Sequence, residues 1–139
     1  MKKIIRSSDE MEALGATLVK NLSTPAIIYL QGDLGAGKTT LVRGALRGLG
    51  HQGLVKSPTF TLVETYSFDL TEVYHFDLYR ISDPEELDYI GIREFCCGPN
   101  ICFIEWPQLG KPLVPKATME ILIEYIPEGR QISIENPTR

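Results

Sequence analysis

Gly32-Asp33-Leu34-Gly35-Ala36-Gly37-Lys38-Thr39 constrains this chain more than any other stretch, because it fits G-x-x-x-x-G-K-[ST] in full. Each part of that pattern answers a physical need. Glycines let the backbone curl until successive N–H groups converge on phosphate oxygens. A helix opening at Lys38 adds unpaired N–H groups and the positive end of its dipole. Lys38 is a point charge able to reach β- and γ-phosphates, and the Thr39 hydroxyl is a ligand for Mg²⁺. The flanks agree with this reading. Ala26-Ile27-Ile28-Tyr29-Leu30 is a short, partly β-branched apolar run, suited to a strand buried on both faces. Beyond the loop the pattern is helical from about Lys38 to Leu49 and stops at Gly50. Nucleotide binding is the expected consequence.

The rest of the chain supplies an α/β framework. Lys2–Arg6 reads as a short strand, and Ser7-x-x-Glu10 as a capping box. Met11, Leu14, Leu18, Val19 and Leu22 then recur at helical spacing, predicting an amphipathic helix from Asp9 to about Leu22. Lys56-Ser57-Pro58-Thr59 is loop. Phe60–Phe68 and Val73–Asp77 are strand candidates joined by a turn at 69–72. Asp83 with Pro84 marks a helix start, cap then first residue. Ile101–Ile104 is a second buried strand, and Met119–Ile126 with Gln131–Ile134 forms a closing hairpin around Pro127-Glu128-Gly129-Arg130. The expectation is one P-loop NTPase-like domain over residues 1–139, a mixed β-sheet with flanking helices and a C-terminal β-hairpin.

A phosphate loop needs further groups to hydrolyse anything. The second anchor for Mg²⁺ is expected to be a carboxylate at the end of a neighbouring apolar strand. Glu105 ends one such run and Asp77 another. Strand alternation puts Val73, His75 and Asp77 on one face. Thr59, in Ser57-Pro58-Thr59-Phe60-Thr61, stands where a hydroxyl can sense Mg²⁺ or γ-phosphate. Other residues have simpler readings. His75 fits a structural histidine, and Trp106 a core or interface aromatic. Arg43, Arg47 and His51, at spacings of four, form a basic helical stripe, either solvated or facing a partner.

Composition narrows the classes. With 14 Lys+Arg against 18 Asp+Glu the net charge is −4, which gives no broad phosphate-binding surface for autonomous nucleic-acid recognition. No apolar run approaches the ~20 residues that span a bilayer, and Met1–Glu10 is charged too soon for a signal peptide. A cytoplasmic protein without a membrane partner is therefore expected. Cys96, Cys97 and Cys102 lack the spacing of a zinc site and read as free thiols. No Asn-Lys-x-Asp segment for reading guanine occurs. A small P-loop kinase, or a nucleotide-dependent switch with negligible turnover, stays open beside an ATPase.

Several blocks together carry a more specific likeness. Gly32–Thr40, Ser57-Pro58-Thr59-Phe60-Thr61-Leu62-Val63, His75-Phe76-Asp77-Leu78-Tyr79-Arg80, Asp83-Pro84-Glu85-Glu86-Leu87, Gly91-Ile92-Arg93 and Glu105-Trp106-Pro107 resemble, in this order, the TsaE (YjeE) family. The likeness runs from about Ser7 to Arg130. It implies a small ATPase needed for threonylcarbamoyl modification of the adenosine beside the anticodon in tRNAs reading ANN codons. It further implies ATP/ADP and Mg²⁺ as cofactors, and TsaB and TsaD as partners. TsaD would carry the transfer chemistry, tRNA would be met indirectly through the complex, and hydrolysis would reset that complex between turnovers. On the same likeness Gly35, Ala36, Gly37, Lys38, Thr39 and Thr40 would hold the phosphates, with Thr39 and Glu105 on Mg²⁺. Asp77 would position or activate the attacking water, Lys38 and Glu105 completing the catalytic set. Thr59 would lie in a switch-like segment, and Ser8 and Arg130 would border the adenine.

Overall fold

The computed structural model describes residues 1–137. Its elements alternate as the hydrophobic pattern requires. Strand β1 (Lys2–Ile5) leads into helix α1 (Ser8–Lys20). The Ser7 hydroxyl accepts from Glu10 N–H at 3.1 Å, capping that helix, while the Glu10 carboxylate reaches back to Arg6 N–H rather than to Ser7 itself. Strand β2 (Ala26–Gly32) delivers the chain to the glycine-rich loop, and helix α2 (Lys38–Gly48) leaves it. Then come β3 (Val63–Ser67), β4 (Glu72–Asp77), short helices α3 (Glu86–Ile90) and α4 (Ile92–Phe95), β5 (Ile101–Glu105), a 3-10 turn at Pro107–Gly110, β6 (Met119–Ile126) and β7 (Gly129–Glu135).

The strands form a seven-stranded sheet in the order β1-β7-β6-β2-β5-β4-β3. β2 runs parallel to both neighbours, β5 and β6, and β4 is parallel to β5. The edges are antiparallel, β3 on β4, β7 on β6 and β1 on β7. This is the mixed sheet the sequence predicts. Ligands of open parallel sheets sit beyond the carboxyl ends of the strands where the connections diverge, and here β2, β5 and β4 all end at one rim.

Two apolar layers cover the sheet. On one face α1 and α2 pack Met11, Leu14, Leu41, Val42 and Leu46 against Ile28, Leu30, Val73, Phe103 and Ile121. On the other, Leu87, Ile92 and Val114 meet Ile27, Phe76, Cys102 and Ile104. Residues two apart on β4 and β5 therefore share a face, so Val73, His75 and Asp77 look the same way. Helices α1 and α2 approach backbone to backbone. A Cβ at Gly44 would fall inside the Glu12 main chain, and one at Gly15 inside that of Leu41.

Three local expectations need correction. The strand expected over Phe60–Phe68 begins only at Val63, because Leu62 takes a left-handed backbone (φ 70°) and its carbonyl accepts Asp77 N–H. Regular helix α3 starts at Glu86, not beside Asp83. The capping chemistry at Asp83 is nevertheless present: its carboxylate accepts Glu85 N–H, and Glu86 accepts Asp83 N–H. The closing hairpin is tighter than expected, with Ile126 paired to Gly129 and Arg130 already in β7. All three cysteines are free.

Candidate functional site

Gly35 and Gly37 give the loop its shape, with φ of 78° and 117°, backbone conformations that side chains resist. Gly37 is the residue before α2, and Leu41 N–H returns to its carbonyl. Helix α2 thus starts facing the loop, with unpaired N–H groups directed toward the rim. Lys38 turns inward instead of into solvent and is 5% exposed. Its ammonium donates to Gly32 O at 2.8 Å, lies 3.8 Å from Glu105 Oε1, and sits 4.2 Å from the centre of the Trp106 ring. Burial pushes its pKa down; Glu105, Asp77 and Asp33 pull the other way.

The two acids arrive together because their strands are adjacent and in register. Asp77 is paired with Glu105 across β4 and β5. Both are buried. Asp77 Oδ1 accepts Tyr79 N–H at 3.1 Å, and Oδ2 accepts from the Thr59 hydroxyl at 3.3 Å. Thr59 in turn shares a hydrogen bond with Ser57, 2.9 Å. Glu105 Oε2 lies 2.5 Å from His75 Nε2. A cavity of about 320 Å³ joins these groups, lined by Leu34, Gly35, Gly37, Lys38, Thr39, Thr40, Ser57, Thr59, Asp77 and Glu105.

A second cavity, about 290 Å³, opens on the other flank of the loop. Ser8, Gly35, Ala36, Gly37, Thr40 and Arg130 line it with Ile5, Arg6, Ser7, Met11 and Gly129. β1 pairs with β7, so residues from the two ends of the chain meet here. The Arg130 guanidinium donates to Ala36 O at 3.0 Å and stacks 4.1 Å over Tyr125, whose hydroxyl donates to Leu34 O at 3.0 Å. Every site residue picked out from the sequence thus lines one cavity or the other, and Gly35, Gly37 and Thr40 line both.

Sequence reasoning missed several participants. Trp106 adopts a left-handed backbone (φ 57°, ψ 50°), strained for a residue with a side chain, and this turn brings its ring to Lys38. Tyr125 carried no local signal at all. Each member of the basic stripe has a local contact. Arg43 lies 3.9 Å from Glu12, Arg47 donates to the carbonyls of His51 and Gly53, and His51 packs on Tyr66. Arg47 and His51 thus brace the end of α2, while Arg43 pairs with α1.

The oxygen-rich donor set suits Mg²⁺, a hard cation that takes few protein ligands and keeps its remaining places for phosphate and water. Thr39, Thr59, Asp77 and Glu105 are all oxygen donors on one cavity wall. Among the described residues no cluster of three His, Cys, Asp or Glu stands ready as a cage for a metal. No helix there is long and apolar enough to cross a membrane.

A parallel-centred sheet, a glycine-rich loop between β2 and α2, and acids at the ends of the next two strands define the P-loop NTPase-like class of folds. The family model described as "Threonylcarbamoyl adenosine biosynthesis protein TsaE" matches residues 5–132, and the chain belongs to that family. A Haemophilus influenzae protein named tRNA threonylcarbamoyladenosine biosynthesis protein TsaE is 53% identical over 108 residues, 78% of this chain and 68% of its own length. Proteins of the same name from Bacillus subtilis and Treponema pallidum are 39% and 36% identical. The match covers 70% of this chain and 61% of the Bacillus protein, but 96% of this chain and 99% of the Treponema protein. The fold is also that of the crystal structure of YdiB from Bacillus subtilis, with a TM-score of 0.76 at 28% identity, over 95% of this chain and 80% of that one.

Proposed function

We infer that this chain is an Mg²⁺-dependent ATPase that serves threonylcarbamoyladenosine formation in tRNA. The single observation that supports this most is the cavity shared by Lys38, Thr39, Thr59, Asp77 and Glu105, in a chain of the TsaE family. In this reading residues 1–139 act as one ATPase domain. Backbone N–H groups of Gly35–Thr40 hold the phosphates, and Lys38 swings from Gly32 O and Glu105 onto the β/γ oxygens. That exchange of partners keeps the ammonium paired in both states, as a buried cation requires. Thr39 and Glu105 hold Mg²⁺, which would neutralise charge on the β- and γ-phosphates.

Asp77 orients the attacking water. Its carboxylate is fixed at both oxygens, by Tyr79 N–H and Thr59 Oγ1, so a water lodged there is aimed before the reaction starts. Thr59 senses the γ-phosphate side and releases Asp77 when the Ser57–Thr59 segment rearranges. Ser8 and Arg130 border the adenine in the second cavity. Turnover by the chain alone is slow because no arginine among the described residues lines the acid-side cavity, and partners supply or arrange the missing groups. TsaB and TsaD are those partners, with hydrolysis resetting their complex and tRNA reached through it, in the cytoplasm.

Measuring phosphate release from ATP with and without the purified TsaB–TsaD pair tests this reading. Stimulation of tenfold or more is expected. Equal rates in both arms would remove the partner-dependent part, and no hydrolysis in either arm would remove the ATPase.

A further inference from the structure

His75 is completely buried and, among the described residues, bonds to one group alone. It lies on β4 opposite Phe103 of β5, so Glu105, two residues further along β5, is its diagonal neighbour on the same face of the sheet. Nε2 meets Glu105 Oε2 at 2.5 Å, while Nδ1 has no partner among the described residues. Burying a polar atom unpaired is costly. An apolar side chain of similar shape would remove that cost in a layer otherwise made of Val73, Phe103 and Leu30. Packing therefore does not explain a histidine at this position. The bond to Glu105 does.

The bond also divides the carboxylate between two tasks. Oε2 is engaged by the imidazole, and Oε1 is left facing Lys38 at 3.8 Å and the cavity. Without the imidazole, rotation about the last bond of the side chain would let both oxygens turn onto the ammonium. We propose that His75 is a positioning residue: it holds Glu105 by one oxygen so that the other faces the metal place beside the P-loop. This role rests on the Mg²⁺-ATPase reading above and extends it to a residue outside the cavity lining.

The test measures binding as well as turnover. ATP affinity of the full chain is determined calorimetrically with excess Mg²⁺ and with EDTA, for the parent chain, His75→Gln and His75→Asn. The glutamine amide reaches the place of Nε2, whereas the asparagine amide reaches only that of Nδ1. His75→Gln is expected to keep at least half of the affinity gain that Mg²⁺ gives the parent chain. His75→Asn should reduce that gain to less than twofold, leave the affinity in EDTA within twofold, and lower kcat more than tenfold, with KM for ATP in Mg²⁺ rising in step with the lost affinity gain. Adding His75→Asn to Glu105→Gln should cost nothing further, since the first change acts through Glu105. Equal behaviour of the two variants, or a loss of affinity that is the same with and without Mg²⁺, would overturn the positioning role. A parent chain whose ATP affinity ignores Mg²⁺ would instead overturn the metal-dependent reading on which it rests.

Discussion

On its β4–β5 side the P-loop meets buried charge, and on its β6–β7 side it meets half-exposed side chains that bond to its carbonyls. The first grip consists of Lys38, Asp77 and Glu105, each no more than 7% exposed. The second consists of Arg130 on Ala36 O and Tyr125 on Leu34 O, with Tyr125 50% exposed. Electrostatic interactions strengthen where water is excluded, so the two grips differ in what they can do. Groups on the buried side can stabilise charge that develops during a reaction. Groups on the open side can hold the loop in shape and border a bound base, at modest energies.

The largest effects should come from breaking the buried side. Lys38→Ala removes the only cation that lines that cavity among the described residues and leaves Glu105 with one partner fewer. A loss of at least about 100-fold in partner-stimulated ATP hydrolysis is expected, the scale of losing a charge-stabilising group. Phosphate release at saturating ATP checks it. Glu105→Gln and Asp77→Asn keep shape while removing charge, and each should also abolish most stimulated turnover. Their effects should separate in binding. Glu105→Gln should weaken ATP only when Mg²⁺ is present, and Asp77→Asn should leave ATP affinity within about threefold. Parental rates in either variant would break the assignment of the acids.

Stability offers an intermediate test of how the open side is assembled. Its cavity depends on α1 standing against α2, and Gly44→Ala places a methyl group into the Glu12 backbone. Overpacking of this kind costs about 3 kcal/mol, read as a lower urea midpoint at unchanged slope. A neutral result would show that the helices can separate without loss.

The unequal legibility of the two sides follows from the range of the interactions. The loop, Thr39 and the terminal acids of β4 and β5 are marked by local pattern: a fixed spacing, an apolar run, a carboxylate where the run ends. Parallel pairing then brings Asp77 and Glu105 together without further information. His75 was visible as a residue on the right face, but its single bond depends on the relative register of two strands, which no local pattern states. The left-handed turn at Trp106 is a strained conformation imposed by the fold, and a tryptophan does not advertise it. The need for Gly15 and Gly44 is likewise invisible locally, because the close helix approach that demands them joins residues far apart in the chain. Tyr125 and Ala36 are distant in sequence from their partners, and alternation along β6 places Tyr125 on the face of Ile121 and Ile123, which says nothing of a bond to the P-loop.

Arg130→Ala ranks next. It removes a charge-assisted bond to Ala36 O and the guanidinium that lines the second cavity. Such bonds contribute about 1.5–3 kcal/mol where they are sheltered, and partial exposure brings the expected loss near tenfold in ATP affinity. That loss should be the same with Mg²⁺ and with EDTA, in contrast to Glu105→Gln. A loss confined to the Mg²⁺ arm would mean that the two sides are coupled through the loop.

Tyr125→Phe is the smallest change and the sharpest probe of the open side. It deletes one hydroxyl, leaves the ring under Arg130, and frees Leu34 O to accept from water. Because that carbonyl is near the surface, its lost partner is replaced, and the net cost should stay below about 1 kcal/mol. Hydrolysis should be unaffected within about twofold, and ATP affinity should fall by no more than about threefold. If Tyr125→Phe instead slowed turnover as much as Asp77→Asn, the carbonyl bond would be setting the geometry of the phosphate loop during the reaction. The contrast between a reactive side and a supporting side would then fail at its weakest member.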